Sequence, residues 1–228
     1  MLPGPTIVRQ CPACGVQVRE STIASGNSSG ARYWTDGFIE APMLPHQSAL
    51  AKCDSCGQVS WLKNFAKIDQ YESYLGYLAF SEDEGDKKRL NTETLKKHQY
   101  ENLQWIGQPD IRDLSRCLTE CVLSAEEELY ARVRFWQMGN DPRRGPSNQQ
   151  PLAPEEIINL QQIADLLEMK NDYRLLLAEI YRQLGNTEKS IHILESQEFS
   201  KKENRLAEFV LRLARAGDTR LQAISKLI

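Results

Sequence analysis

Six cysteines are the residues of this chain best suited to chemistry, and four of them fall into two matched groups. Cys11-Pro-Ala-Cys14-Gly15 and Cys53-Asp-Ser-Cys56-Gly57 each set two thiols in a tight turn and follow them with glycine. A Cys-x-x-Cys turn wraps its backbone round a metal and aims its amides at the sulfurs. The wrapping drives the next residue towards positive φ, where glycine carries no steric cost. Two such turns supply four thiolates, which close a tetrahedral shell and leave no position for water or substrate. The expectation is one structural zinc ion held by Cys11, Cys14, Cys53 and Cys56. A pair of redox dithiols is the competing reading. Neither turn stands between a parallel strand and a long amphipathic helix, which is the setting a redox pair uses.

The remaining reactive side chains are scattered. His46 precedes Cys53 by seven residues, but a structural zinc shell complete in sulfur rarely takes a fifth protein ligand, so His46 reads as a loop residue. Asp36 and Glu40 can be pictured as paired carboxylates; Asp36-Gly37 is better read as a tight turn, with Asp36 chosen for its tolerance of the left-handed region. Cys117 and Cys121 lie four apart on a predicted helix with no further cysteine pair to complete a second site, and both are expected in the core. The other histidines, His98 and His192, stand alone. No phosphate-binding loop, nucleophile elbow or metalloprotease motif occurs, so the chain is not expected to be an enzyme.

The elements around the cysteines are short strands. Val16 and Val18 alternate with polar neighbours, 31–35 reads as a strand, Asp36-Gly37 marks a hairpin, and 58–62 closes behind the second turn. This order resembles a zinc ribbon over residues 8–66, and a module so small draws much of its folding free energy from the metal. The segment 81–100, centred on Ser81-Glu-Asp-Glu-Gly-Asp-Lys-Lys-Arg89, mixes opposite charges with few aliphatics and reads as a solvated linker or mobile loop. The expected fold class is thus α+β: a ribbon over 1–66, a charged linker region over 67–109, and a helical domain over 110–228.

In the helical half, Ile111, Leu114, Leu118, Cys121 and Val122 trace one face. Ser124 with Glu127 forms a capping box, Pro154 opens a further helix, and Ser200 with Glu203 forms another box. Gln183-Leu-Gly-Asn-Thr187 corresponds to Arg215-Ala-Gly-Asp-Thr219, thirty-two residues later; a period of that size marks stacked helix pairs. A last helix is expected after Asp218, with Leu221, Ile224 and Leu227 inside. The segment from about 171 resembles the tetratricopeptide repeat: Leu177, Ala178, Tyr181 and Gly185 match its first helix, and Ser190 and Leu194 its second. It departs from that pattern in placing Arg174 where a Trp opens the repeat. The resemblance implies a scaffold that binds proteins or peptides. Arg174 and Arg182 lie off the apolar stripe and are the candidate partner-binding residues, suited to carboxylates. The combination of a ribbon carrying Ala31-Arg-Tyr-Trp-Thr-Asp-Gly37 and Ala41-Pro-Met-Leu-Pro45 with helical repeats resembles a family of bacterial proteins, and that resemblance implies an architecture without an activity.

The 228 residues carry a formal net charge of −3, which gives no global attraction to nucleic acid or anionic lipid. No run approaches the ~18 apolar residues of a membrane span, and the N-terminus lacks the pattern of a secretory signal. The expected location is the cytoplasm, where thiols stay reduced and bind metal. Up to residue 66, Arg9, Arg19, Arg32, Lys52 and Lys63 face Glu20, Asp36, Glu40 and Asp54, and four thiolates round a dication add a formal negative charge. The expected partner is therefore a protein, in an adaptor role, with nucleic-acid or ribosome binding through the ribbon as the alternative.

Overall fold

The computed structural model describes residues 1–145 and 150–224, and the expected position of Leu227 lies outside them. The chain divides into two compact units. The first contains residues 1–30 and 41–110; the second contains residues 31–40 and 111 onward. Strands dominate the start and helices follow from residue 76, an α+β layout.

In the first unit, β1 (Leu2–Pro3), β2 (Thr6–Gln10), β3 (Gln17–Glu20) and β4 (Ile23–Ser25) precede the excursion of 31–40. Of these, β2 and β3 pair antiparallel, with Arg9 opposite Val18. The excursion itself is β5 (Arg32–Trp34) and β6 (Ile39–Glu40). The first unit resumes with β7 (Leu50–Lys52), β8 (Val59–Trp61) and β9 (Ala66–Tyr71). The last of these lies against the other edge of β2, so the sheet order is β3-β2-β9, while β7 and β8 form a second hairpin. Residues 104–107 lace the two sheets together. Ile106 N donates to Arg19 O at 2.7 Å on one side, and Gly107 exchanges two 2.9 Å bonds with Lys52 on the other. Val18, Ala51, Phe65 and the two buried cysteines form the core beneath, with Leu62 and Ile106 packed on it.

The expected charged linker is structured. After a short turn of helix, α1 (Gly76–Ala79), the segment Glu84–Tyr100 is a 17-residue helix, α2, with Asp83 accepting from Asp86 N at its start. Its charges are not merely solvated. Lys96 pairs with Asp69 of β9 at 2.7 Å, Glu93 accepts from Glu72 N at 2.7 Å, and Tyr100 stacks on Tyr71 with ring centroids 6.3 Å apart. Charge-rich composition hides a helix whose docking face is itself polar, which a search for apolar periodicity misses.

In the second unit, α3 (Ile111–Glu120), α4 (Ala125–Gly139), α5 (Pro154–Leu167), α6 (Arg174–Gln183), α7 (Thr187–Ser196) and α8 (Lys201–Arg215) follow one another, and β10 (Ala223–Ile224) ends the described chain. Both predicted capping boxes are present, each worth roughly 0.5–2 kcal/mol to its helix. One cluster joins Trp136 of α4, Leu160 and Ile163 of α5, and Leu177 and Ile180 of α6. A second joins Ala178 of α6 with Leu194 of α7 and Val210 of α8. α6 thus contributes opposite faces to two cores, which makes the stack continuous.

The two glycine turns thirty-two residues apart are built alike. Asn186 N reaches back to Tyr181 O at 2.8 Å and Asp218 N to Leu213 O at 3.0 Å, with Gly185 at φ 79° and Gly217 at φ 64°. This is the Schellman ending, in which only glycine takes the left-handed position at no cost. The turns diverge afterwards. Asn186, one residue before the expected Thr187, caps α7 by accepting from Lys189 N. Asp218 starts no helix: it accepts from Arg220 N and Nε, both at 2.9 Å, and the chain runs on to β10, pairing Ile224 with Tyr33 and Ala223 with Trp34. Over its described part the expected last helix is instead an irregular run that ends in the two-residue strand β10, whose backbone pairs with the edge of β5. Ile224 is buried as expected, but in a sheet.

Candidate metal centre

Each cysteine turn sits at the tip of one hairpin, the first between β2 and β3, the second between β7 and β8. The turns are geometric copies. Gly15 N donates to Cys11 O at 3.0 Å and Cys11 N to Val16 O at 2.9 Å; Gly57 N donates to Cys53 O at 2.7 Å and Cys53 N to Gln58 O at 2.9 Å. The following glycines stand at φ 73° and 72°, as their place after the second cysteine requires. The four sulfurs converge, all within 4.8 Å of one another. Cys11 Sγ lies 3.9 Å from Cys56 Sγ, and Cys14 Sγ 3.7 Å from Cys53 Sγ. A zinc–sulfur bond of about 2.3 Å gives a tetrahedral edge of about 3.8 Å, so these residues fit a single tetrahedral metal ion. Cys11 and Cys53 are buried on the hairpin side, whereas Cys14 and Cys56 are exposed.

Electrostatics say the same. Burial raises the Cys11 thiol, but hydrogen bonds from the Cys14 and Ala13 backbones outweigh it and bring it down to about 7. Cys56 receives help from the Gln58 backbone, yet the neighbouring sulfurs Cys14, Cys53 and Cys11 push it up to about 12. Without a cation the cluster does not ionise fully; a bound dication removes the repulsion among the sulfurs.

His46 is not among the converging ligands; it stands on the irregular stretch before β7. Cys117 is buried, and burial followed by the neighbouring Cys121 pushes its thiol up to about 12. Cys121 is exposed, against expectation. The helix ends at Glu120, one residue before Cys121, so the apolar stripe is not continued and Val122 stands fully in solvent.

Asp36 corrects its reading as a simple turn residue. It lies in the second unit, is fully buried, and its carboxylate takes the Arg144 guanidinium in a fork at 2.6 and 3.2 Å. Asn140 Nδ2 donates to the same carboxylate at 3.0 Å and Phe38 N at 3.0 Å. The Arg144 guanidinium lies over the Phe38 ring at 4.4 Å. This pair fastens the β5–β6 hairpin to the end of α4. The hairpin signal in 31–39 is real, and the hairpin belongs to the second unit, with the helices, in place of the expected ribbon over 1–66.

Of the two candidate partner-binding arginines, Arg182 is at 0% exposure. Its Nε and Nη2 grip Glu179 at 2.7 and 2.6 Å, Nη2 also donates to Arg220 O at 2.9 Å, and Nη1 donates to Asp218 O. It is a buried anchor between α6 and the chain after α8, so its assignment to an exposed groove is withdrawn. Its place off the apolar stripe signalled polarity, which here means a buried ion pair. Arg174 is half-buried and donates to Asn171 Oδ1 at 3.0 Å.

No helix among the described residues is long and apolar enough to cross a membrane. Comparison with family models, with curated proteins and with solved structures found no match.

Proposed function

We propose that this chain is a zinc-stapled interaction protein, in which a structural zinc ion organises a small β-module and the helical unit serves as a tetratricopeptide-like scaffold. The observation that carries the metal assignment is the convergence of four thiols at tetrahedral spacing on two glycine-ended turns. Thiolate-rich tetrahedral sites select zinc in preference to the oxygen-seeking cations. The zinc serves stability: with four protein ligands in place there is no open coordination position for a substrate, and the chain is read as non-catalytic. Support for an adaptor role comes from the helical unit, where consecutive helices share cores through α6 as repeat scaffolds do. We place the protein in the cytoplasm, where such thiols remain available to metal, with protein partners in preference to nucleic acid or membrane. Elemental analysis of the purified chain, reduced and desalted, tests the metal reading; one zinc per chain is expected. Two metals per chain, or iron in place of zinc, overturns it. Capture of protein from lysate by the zinc-loaded chain, and by the helical unit after chelation, is the expected behaviour of an adaptor whose scaffold is helical.

A further inference from the structure

The metal-bearing unit contains a cavity of about 330 Å³ between the end of β3 and the start of β7, within the range of small-ligand sites. Its walls combine the apolar Leu50, Leu62 and Ile106 with Arg19 and Trp105. Arg19 is held in a fixed pose. Its Nε donates to Leu103 O at 2.8 Å, and its guanidinium lies 4.3 Å from the centroid of the Trp105 ring. Neither Nη atom finds a protein acceptor among the described residues. A guanidinium stacked on indole and tethered through Nε keeps its outer edge ready for a two-pronged bond to a carboxylate. Glu20 also lines the cavity, but Arg9 pairs with it and offsets its charge. Ser48 accepts from Leu50 N at 3.1 Å, which leaves its hydroxyl proton free to donate.

We infer that this cavity captures the C-terminal carboxylate of a partner protein whose last side chain is apolar. One fixed guanidinium matches one carboxylate, and the apolar residues beside it suit an organic acid with an apolar side chain better than inorganic phosphate. The apolar wall takes the terminal side chain, and the mode is end-of-chain recognition rather than a long interface. The inference rests on the reading of this chain as a protein-binding adaptor and names its partner's chemistry.

The test uses the full zinc-loaded chain and two peptides, N-acetyl-glycyl-leucine with a free carboxylate and the same peptide as its C-terminal amide, titrated by calorimetry. The acid is expected to bind and the amide to bind at least tenfold more weakly. Arg19→Gln is expected to weaken the acid at least tenfold with zinc content unchanged, and Arg19→Lys to fall between, since it keeps the charge and loses the fork. Equal affinity for acid and amide, no binding of the acid at millimolar concentration, or inorganic phosphate competing as well as the acid overturns the inference. A chain with one zinc that ignores the acid peptide sinks this site while leaving the metal reading intact.

Discussion

The two glycines after the cysteine turns hold φ values that cost an L side chain about 1–2 kcal/mol. A Cβ on Gly57 meets nothing within 4 Å, so Gly57→Ala isolates the backbone cost from any clash. The zinc-loaded protein should lose about 1–2 kcal/mol in denaturant unfolding, and Gly57→Asn should recover part of it; an unchanged midpoint for the alanine variant contradicts the turn geometry. The buried arginines give a second residue-scale test. Breaking one partner of a buried ion pair costs about 3–5 kcal/mol, since the other charge is stranded. Arg182→Glu places a carboxylate beside Glu179 and should unfold or severely destabilise the helical unit, whereas Arg174→Glu loses a hydrogen bond to Asn171 and should cost about 0.5–1.5 kcal/mol. Circular dichroism with urea separates them, and similar midpoints for both variants refute the burial of Arg182.

At the scale of elements, the two cysteine hairpins draw on residues beyond 66. Residues 104–107 supply backbone bonds to both hairpins, and α2 covers β9. A fragment ending at residue 110 should therefore hold zinc more tightly and show better dispersed amide resonances than one ending at residue 80. Both fragments leave the 31–40 hairpin without its helical partner, so the comparison holds that defect constant. Equal zinc affinity and equal dispersion show that residues 81–110, the lacing segment 104–107 among them, contribute nothing.

For the molecule as a whole, metal binding and pH are linked through the sulfurs. Zinc takes thiolates, so every proton still on the cluster must leave on binding. Cys56, raised to about 12, is protonated throughout the neutral range, and Cys11, lowered to about 7, gains its proton only as pH falls through that value. Apparent zinc affinity should therefore fall as pH falls, by at least about tenfold per unit, since at least one proton is displaced. The slope should steepen below pH 7. Chelator competition between pH 8 and pH 6 measures it, and a flat profile excludes a thiolate site. Removing the metal should abolish protection in the first unit, including the 17-residue α2, while the far-UV signal of α3–α8 persists. Complete loss of helicity on chelation shows that the second unit depends on the first.

The four converging thiols were legible in the sequence because each turn carries its whole logic within five residues: two thiols, the spacing that folds amides towards them, and the glycine that permits the fold. The capping boxes of α4 and α8 and the glycine endings of α6 and α8 were legible for the same local reason. What tertiary structure alone decided is where polar and ambiguous segments spend their hydrogen bonds. Asp36 and Arg182 look like surface residues by type, yet each is buried because partners far along the chain complete its bonds: Arg144 pairs with the Asp36 carboxylate, and the carbonyls of Asp218 and Arg220 take the guanidinium protons of Arg182 that Glu179 leaves. The segment after Gly217 has helical spacing, but it runs irregularly to the open edge of β5 and pairs there through Ala223 and Ile224. α2 was hidden by its charges until β9 gave them counter-charges. Local sequence fixes turns and caps because their partners lie within a few residues; it is silent on pairings whose closure depends on the path of the intervening chain.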